Sequence, residues 1–336
     1  GQSSSGAENF RVEARVTLLI AHPGLSSIFS VPEVSVHLSA GTQLAYMLSV
    51  EVAHSRVLDN ESTVLTVEAV QVAPQDLMPG AAVDSLPVPE LVRCLRAQIP
   101  QELHTDIHRD LTCQDVIDTA LVLSLRDIFV IFQLRLVALQ TAISELSHNQ
   151  TTASLVGRTW MQAVVPITVS DFLATWSMPL ADLLTRLHEM LSRILRIQCA
   201  GPVGLHSGDA LAVRLALVTP SKSWHAMRGG LCELAGWLSL FSGSLGKMGN
   251  DISLMAQQGF DEIYLVGGGT CSAMPHKKTI LVELLVILVR SNAAQLAYAY
   301  QAHVHEQERL GAAWALERMI LPSMIQTTAP GLSVRR

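Results

Sequence analysis

Between Gly267 and Lys277 the chain reads Gly-Gly-Gly-Thr-Cys-Ser-Ala-Met-Pro-His-Lys. Three consecutive glycines are costly to order. Here they stand directly before a thiol (Cys271), a hydroxyl (Ser272), an imidazole (His276) and an ammonium (Lys277). A lysine at the start of the helix expected next opposes the helix dipole. It makes sense if an anion sits between it and the helix end. Read alone, His276 fits an exposed loop histidine and Lys277 an ordinary first-turn lysine.

Two further polar clusters flank apolar segments. His108-Arg-Asp-Leu-Thr-Cys-Gln-Asp115 precedes a long run without glycine or proline. Thr112 or Asp115 is a good helix N-cap. A helix start carrying hydroxyl and thiol donors also holds a carboxylate, and the two roles are compatible. Gly157-Arg-Thr-Trp-Met-Gln162 places Arg158 near Trp160, which is surface packing or a cation for the same anion.

These clusters need rigid elements to carry them. Residues 116–146 predict a helix roughly 45 Å long, with Leu123, Ile131, Leu134 and Leu146 among apolar positions that wrap most of its circumference. A helix apolar nearly all round is buried nearly all round. Further helices are expected over 171–198, kinked at Pro179, over 228–257, over 277–301 and over 305–324. No strand alternation is visible in this half. Residues before 108, rich in proline, read as short helices and loops. The fold class is therefore all-α: an N-terminal, mainly helical domain (1–108), a long-helix bundle (109–325) and a tail (326–336).

Of 336 residues, 49% are hydrophobic and only 15% charged, against about 25% charged in ordinary soluble domains. Either a membrane or other subunits must cover the excess apolar surface. Ile280–Val289 contains Glu283 and is shorter than the roughly 20 residues a spanning helix needs. Val16–Ala21 is too brief for a secretory signal. Covering by neighbouring chains is the expectation, in a homo-oligomer. The net charge of −6, with no Lys/Arg cluster, argues against nucleic acid. Five widely spaced cysteines without C-x-x-C read as reduced thiols in a cytoplasm, and neither as a disulfide frame nor as a metal site.

Four motifs in one order carry a resemblance. Ser272-Ala-Met-Pro-His-Lys277, after its glycines, resembles the G-S-S-x-M-P-x-K-x-N-P signature of the fumarase/aspartase superfamily. Thr112–Asp127 (TCQDVIDTALVLSLRD), Gly157–Thr168 (GRTWMQAVVPIT) and His305–Glu317 (HEQERLGAAWALE) are similar to segments of its bacterial 3-carboxy-cis,cis-muconate cycloisomerases, and Ser223–Arg228 (SWHAMR) also has a counterpart there. The likeness runs from about Leu86 to Pro322. Trp160 stands where fumarases and the argininosuccinate and adenylosuccinate lyases carry histidine. The chain ends soon after Pro322, so the family's C-terminal domain is expected to be reduced or missing.

The resemblance implies an intramolecular lactonisation: one carboxylate of a trianionic muconate adds across a carbon–carbon double bond, with no metal and no cofactor. It implies a tetramer whose sites draw their motifs from three subunits. Catalysis falls to Cys271, Ser272 and Lys277, with Lys277 as electron sink. Substrate binding falls to His108, Thr112, Cys113, Gln114, Arg158, Trp160, His276, Thr279 and Arg309. The chain departs from pattern in Cys271 (family serine), Thr270 (glycine), Thr279 (asparagine), Ile280 (proline) and Cys113 (serine). A thiol, with its reference pKa near 8.5, relays a proton more readily than a hydroxyl, or stays inert. Another lyase of the superfamily and a non-catalytic relative are the alternative readings.

Overall fold

A computed structural model describes residues 30–204, 208–265, 269–270, 277–278, 280–309 and 311–332. The N-terminal part holds α1 (Pro32–Ser35), α2 (Ala40–Val57), α3 (Glu61–Ala69), α4 (Met78–Asp84) and α5 (Val88–Gln98). Then come α6 (Cys113–Asn149), β1 (Ser154–Thr159), β2 (Gln162–Thr168), α7 (Val169–Ile194), α8 (Asp209–Leu215) and α9 (Gly229–Met255). The chain continues through β3 (Gly269–Thr270), β4 (Lys277–Lys278), α10 (Ile280–Ala302) and α11 (Gly311–Thr328). The all-α class holds, with long helices packed as a bundle.

The 37 residues of α6 begin at a reciprocal cap. Thr112 Oγ1 accepts from the Asp115 N–H at 3.3 Å and the Asp115 carboxylate accepts from the Thr112 N–H at 2.8 Å, which satisfies two donors that a helix start leaves orphaned. At 1.5 Å per residue α6 spans about 54 Å. Its first turns pack Val116, Ala120 and Leu123 into one core with α2 and α5. Its middle packs Leu125, Ile128, Phe132 and Leu136 into a second core with α7, α9 and α11. The second helix, α7, buries Leu173, Trp176, Leu180, Leu183, Leu187, Met190 and Ile194, spaced alternately by three and four residues, the seam of a bundle helix.

The single chain does not cover α6 all round. Val130, Leu134, Val137 and Leu146 are exposed, as are Leu240 on α9 and Ile287 on α10. The stretch Val282–Ala302 also corrects the reading of apolar runs. By length and mean hydropathy (1.2) it would suffice to cross a membrane, and only 28% of it is buried within the chain. It lies along α9. A Cβ on Gly246 would stand 2.5 Å from Val289 Cγ1, and one on Gly249 would stand 2.9 Å from the Val282 carbonyl. Only glycine lets the two helices approach so closely.

Three element boundaries also differ from expectation. Residues 154–168, where no strand was foreseen, form an antiparallel hairpin with a bulge at Gly157/Arg158. Most of its residues are exposed on both faces, so the half-buried alternation that announces a strand is absent. Lys277 lies on β4, paired with Thr270, and α10 starts only at Ile280; it is not a first-turn lysine. The last helix starts at Gly311, because His305–Arg309 form a loop with Gln307 at φ 51°.

Arg228 joins the layers. Its side chain is fully buried between α6 and α11. Nη1 and Nη2 donate to both oxygens of Asp118 at 2.7 and 3.2 Å, and Nε donates to Glu317 Oε2 at 2.9 Å. Trp314 Nε1 adds a bond to Asp118 at 2.9 Å. Burial pushes the Glu317 carboxyl above its ordinary value although Arg228 pulls the other way. Replacing Arg228 by methionine strands two buried carboxylates. Arg228→Met should cost about 3–5 kcal/mol, read as a lower urea midpoint.

Candidate active site

The start of α6 gathers one group of the expected residues. His108 sits at φ 61°, a left-handed conformation held by its side-chain bond from Nδ1 to Glu51 Oε1 at 2.7 Å. Burial alone would lower its pKa; hydrogen bonds with Cys113 and with the Glu51 carboxylate prevail and raise it to about 9. His108 is therefore an imidazolium at neutral pH, placed beside the positive end of a long helix. Thr112 caps that helix and Cys113 is its first residue. Gln114 is buried, its amide donating to Asp118 Oδ2 and to the His225 carbonyl, both at 3.2 Å. That amide group is committed to the interior.

Residues that the sequence reading did not single out surround this point. Asp118, Arg228, Trp314 and Glu317 lie directly beneath Gln114. His305, half-buried in the loop before α11, is pushed below its ordinary pKa by burial and then by the positive charge of Arg228. Arg309 is exposed in the same loop. The available signal was that Asp118 follows Val116-Ile117, Arg228 follows Ala226-Met227 and Glu317 follows Trp314-Ala315-Leu316: charged residues are rarely buried unless paired.

A second group lies elsewhere. The β1–β2 turn is Trp160-Met161, at φ 51° and 64°, the two-residue hairpin geometry with both central residues left-handed. Trp160 is 96% exposed at this tip. Arg158 donates to Glu262 Oε1 at 2.6 Å and stacks 4.9 Å over Phe260. Between the hairpin and the C-terminal end of α9 is a cleft of about 920 Å³ lined by residues including Arg158, Trp160, Phe172, Met255, Phe260 and Glu262. Since α9 and α10 are antiparallel, with Gly249 against Val282, the β4 segment bearing Lys277 leads into α10 at this same end. The Lys277 side chain, and Cys271, Ser272, His276 and Thr279, lie outside the described residues.

The two groups are separated by the length of α6, about 54 Å. One copy of the chain cannot bring His108 and Cys113 to the same small molecule as Arg158. No cluster of three or more histidine, cysteine or acidic side chains suited to a metal occurs among the described residues.

Comparison with known proteins identifies the family. A family model described as "Lyase" matches residues 74–286, and the chain belongs to this lyase family, the fumarase/aspartase group that its motifs resemble. It is 32% identical over 240 residues to the 3-carboxy-cis,cis-muconate cycloisomerase of Acinetobacter baylyi, covering 67% of this chain and 53% of that protein. It is 32% identical over 258 residues to the enzyme of the same name from Pseudomonas aeruginosa, covering 72% and 56%. Among solved structures, the 3-carboxy-cis,cis-muconate lactonizing enzyme of Pseudomonas putida superposes with a TM-score of 0.85 at 28% identity, over 92% of this chain and 74% of that one. The chain spans about half the length of the curated relatives it matches.

A raised histidine pKa sets a direction for pH. The folded state holds the His108 proton more tightly than the unfolded chain, so its contribution to stability is complete below pH 6.5 and lost as pH rises toward 9. Melting temperature should fall across this window, and His108→Gln should flatten that part of the profile.

Proposed function

We propose that the chain lactonises 3-carboxy-cis,cis-muconate, or a close 3-substituted muconate, to the corresponding muconolactone. The observation that carries the reading is the pairing of a Gly157-Arg-Thr-Trp160 hairpin with an imidazolium-bearing helix start at the far end of one bundle. That arrangement is what two ends of neighbouring chains need to enclose a trianion. The likeness to cycloisomerases supports the same reading.

In this scheme His108, the start of α6, Arg158, Lys277 and Arg309 supply positive charge and donors for three carboxylates. The nucleophile belongs to the substrate: a carboxylate oxygen forms the new C–O bond. Electron density moves into the neighbouring carboxylate, whose developing aci-form Lys277 stabilises. Carbon then takes a proton from Cys271 or Ser272, with Cys271 in the place of the family serine. No water needs activation, which fits Trp160 at the position of a histidine. A soluble cytoplasmic tetramer is part of the proposal, because the exposed apolar faces of α6, α9 and α10 and the separation of the half-sites both call for neighbouring chains.

The test follows loss of diene absorbance when purified protein meets 3-carboxy-cis,cis-muconate. Turnover is expected. Arg158→Ala, or His108→Ala, should each lower kcat/KM by about 100-fold or more. Unfolded together and reassembled, the two variants should regain activity in mixed oligomers that hold some intact sites. An inactive parent overturns the function; active parent without rescue overturns the shared site.

A further inference from the structure

Behind the cap of α6 lies a hydrogen-bonded row that the lactonisation does not use. Ser223 Oγ is 2.8 Å from His225 Nδ1, and His225 Nε2 is 2.9 Å from Asp115 Oδ1. His225 and Asp115 are buried; Ser223 is half-buried and opens on a pocket of about 670 Å³ that includes Cys199, Thr219, Ser221 and Lys222. We propose that Ser223 is a nucleophile, His225 its general base and Asp115 the residue that positions the base, and that this pocket accepts small carboxylic esters.

The proton positions follow from the network. The Trp224 N–H donates to Gln198 Oε1 at 3.1 Å, which fixes that amide, so Gln198 Nε2 is the donor to Ser223 Oγ at 2.9 Å. The serine proton then points to His225 Nδ1, which must be bare to accept it. The imidazole proton is on Nε2 and goes to Asp115. Asp115 is a carboxylate: burial would raise its pKa, but the bond from His225 and those from Thr112 hold it below its ordinary value. Serine, imidazole and carboxylate thus stand in the order that activates a hydroxyl. Lys222 Nζ stands on the same pocket, donating to the Gly204 carbonyl at 3.0 Å, and in the proposal it supplies positive charge to the carbonyl oxygen of a bound ester. The Cys199 thiol in the same pocket is pushed up to about 12, by burial and then by Asp115, and does not compete as a nucleophile.

The step balances without a further reagent. Ser223 Oγ bonds to the ester carbonyl carbon as its proton passes to His225 Nδ1. The bond to the alcohol oxygen breaks, and that oxygen leaves with the proton. Water repeats the sequence on the acyl-serine, releasing the acid and restoring both side chains.

The experiment treats the full chain with p-nitrophenyl acetate, follows p-nitrophenolate release and maps the acetyl group by peptide mass spectrometry. Acetyl on Ser223 is expected, absent in Ser223→Ala, with release slowed about 100-fold in His225→Gln. Lys222→Met should slow release yet keep the label on Ser223. Nitrogen-15 shifts of labelled His225 should report the Nε2–H tautomer and change to Nδ1–H in Asp115→Asn, a response that loss of packing alone does not give. Release unchanged in Ser223→Ala, acetyl found only on Lys222 or another residue, or no acetylation at all overturns the proposal. Muconate turnover is read separately, so failure here leaves the lactonisation standing.

Discussion

The chain depends on one buried cation. Arg228 stands fully inside the protein, stacked 4.5 Å over Trp224, with Asp118 from α6 and Glu317 from α11 on its donors. Apolar packing holds helices together without fixing how far one has slid along its neighbour. A guanidinium with two carboxylates tolerates no such sliding, because a buried charge left unpaired costs several kcal/mol. The pairing therefore sets the relative position of the first turns of α6, the turn before α9 and the second turn of α11. His108, Cys113 and Gln114 inherit their places from it, as does the loop carrying His305 and Arg309.

At the other end the constraints are of a different kind. The hairpin projects with little apolar cover, and its Arg158 is held by Glu262 and Phe260 from the segment after α9. The close approach of α9 and α10 through Gly246 and Gly249 brings the start of α10 to the same end. One end is thus organised by a buried ionic knot and the other by surface pairing and glycine contacts. Between them the single chain leaves apolar faces of α6, α9 and α10 exposed.

Much of this was legible in the residues. The absence of glycine and proline after Thr112, and the Thr112/Asp115 pair, announced the longest helix and its cap. The long run over 171–198, broken only by Pro179, announced α7. The shortage of charge announced faces that a single chain leaves uncovered. What escaped has a physical reason in each case. The hairpin at 154–168 is exposed on both sides and shows no alternation. The start of α11 at Gly311 was blurred by apolar residues continuing on either side of a turn. The partners of Arg228, and the Asp115–His225 and Gln198–Ser223 contacts, join residues between 25 and 110 positions apart, and local spacing carries no trace of such pairs.

The length of α6 has a consequence for how sequences of this kind can change. Apolar side chains along it can exchange for others of similar volume at small cost. The number of residues cannot change. One insertion between Cys113 and Asn149 would turn everything beyond it by about 100° and displace it by 1.5 Å, swinging the hairpin away from the cleft it shares with α9. A surface loop absorbs an extra residue; a helix packed at both ends does not. Counting, more than chemistry, is what inheritance must preserve over these 37 positions.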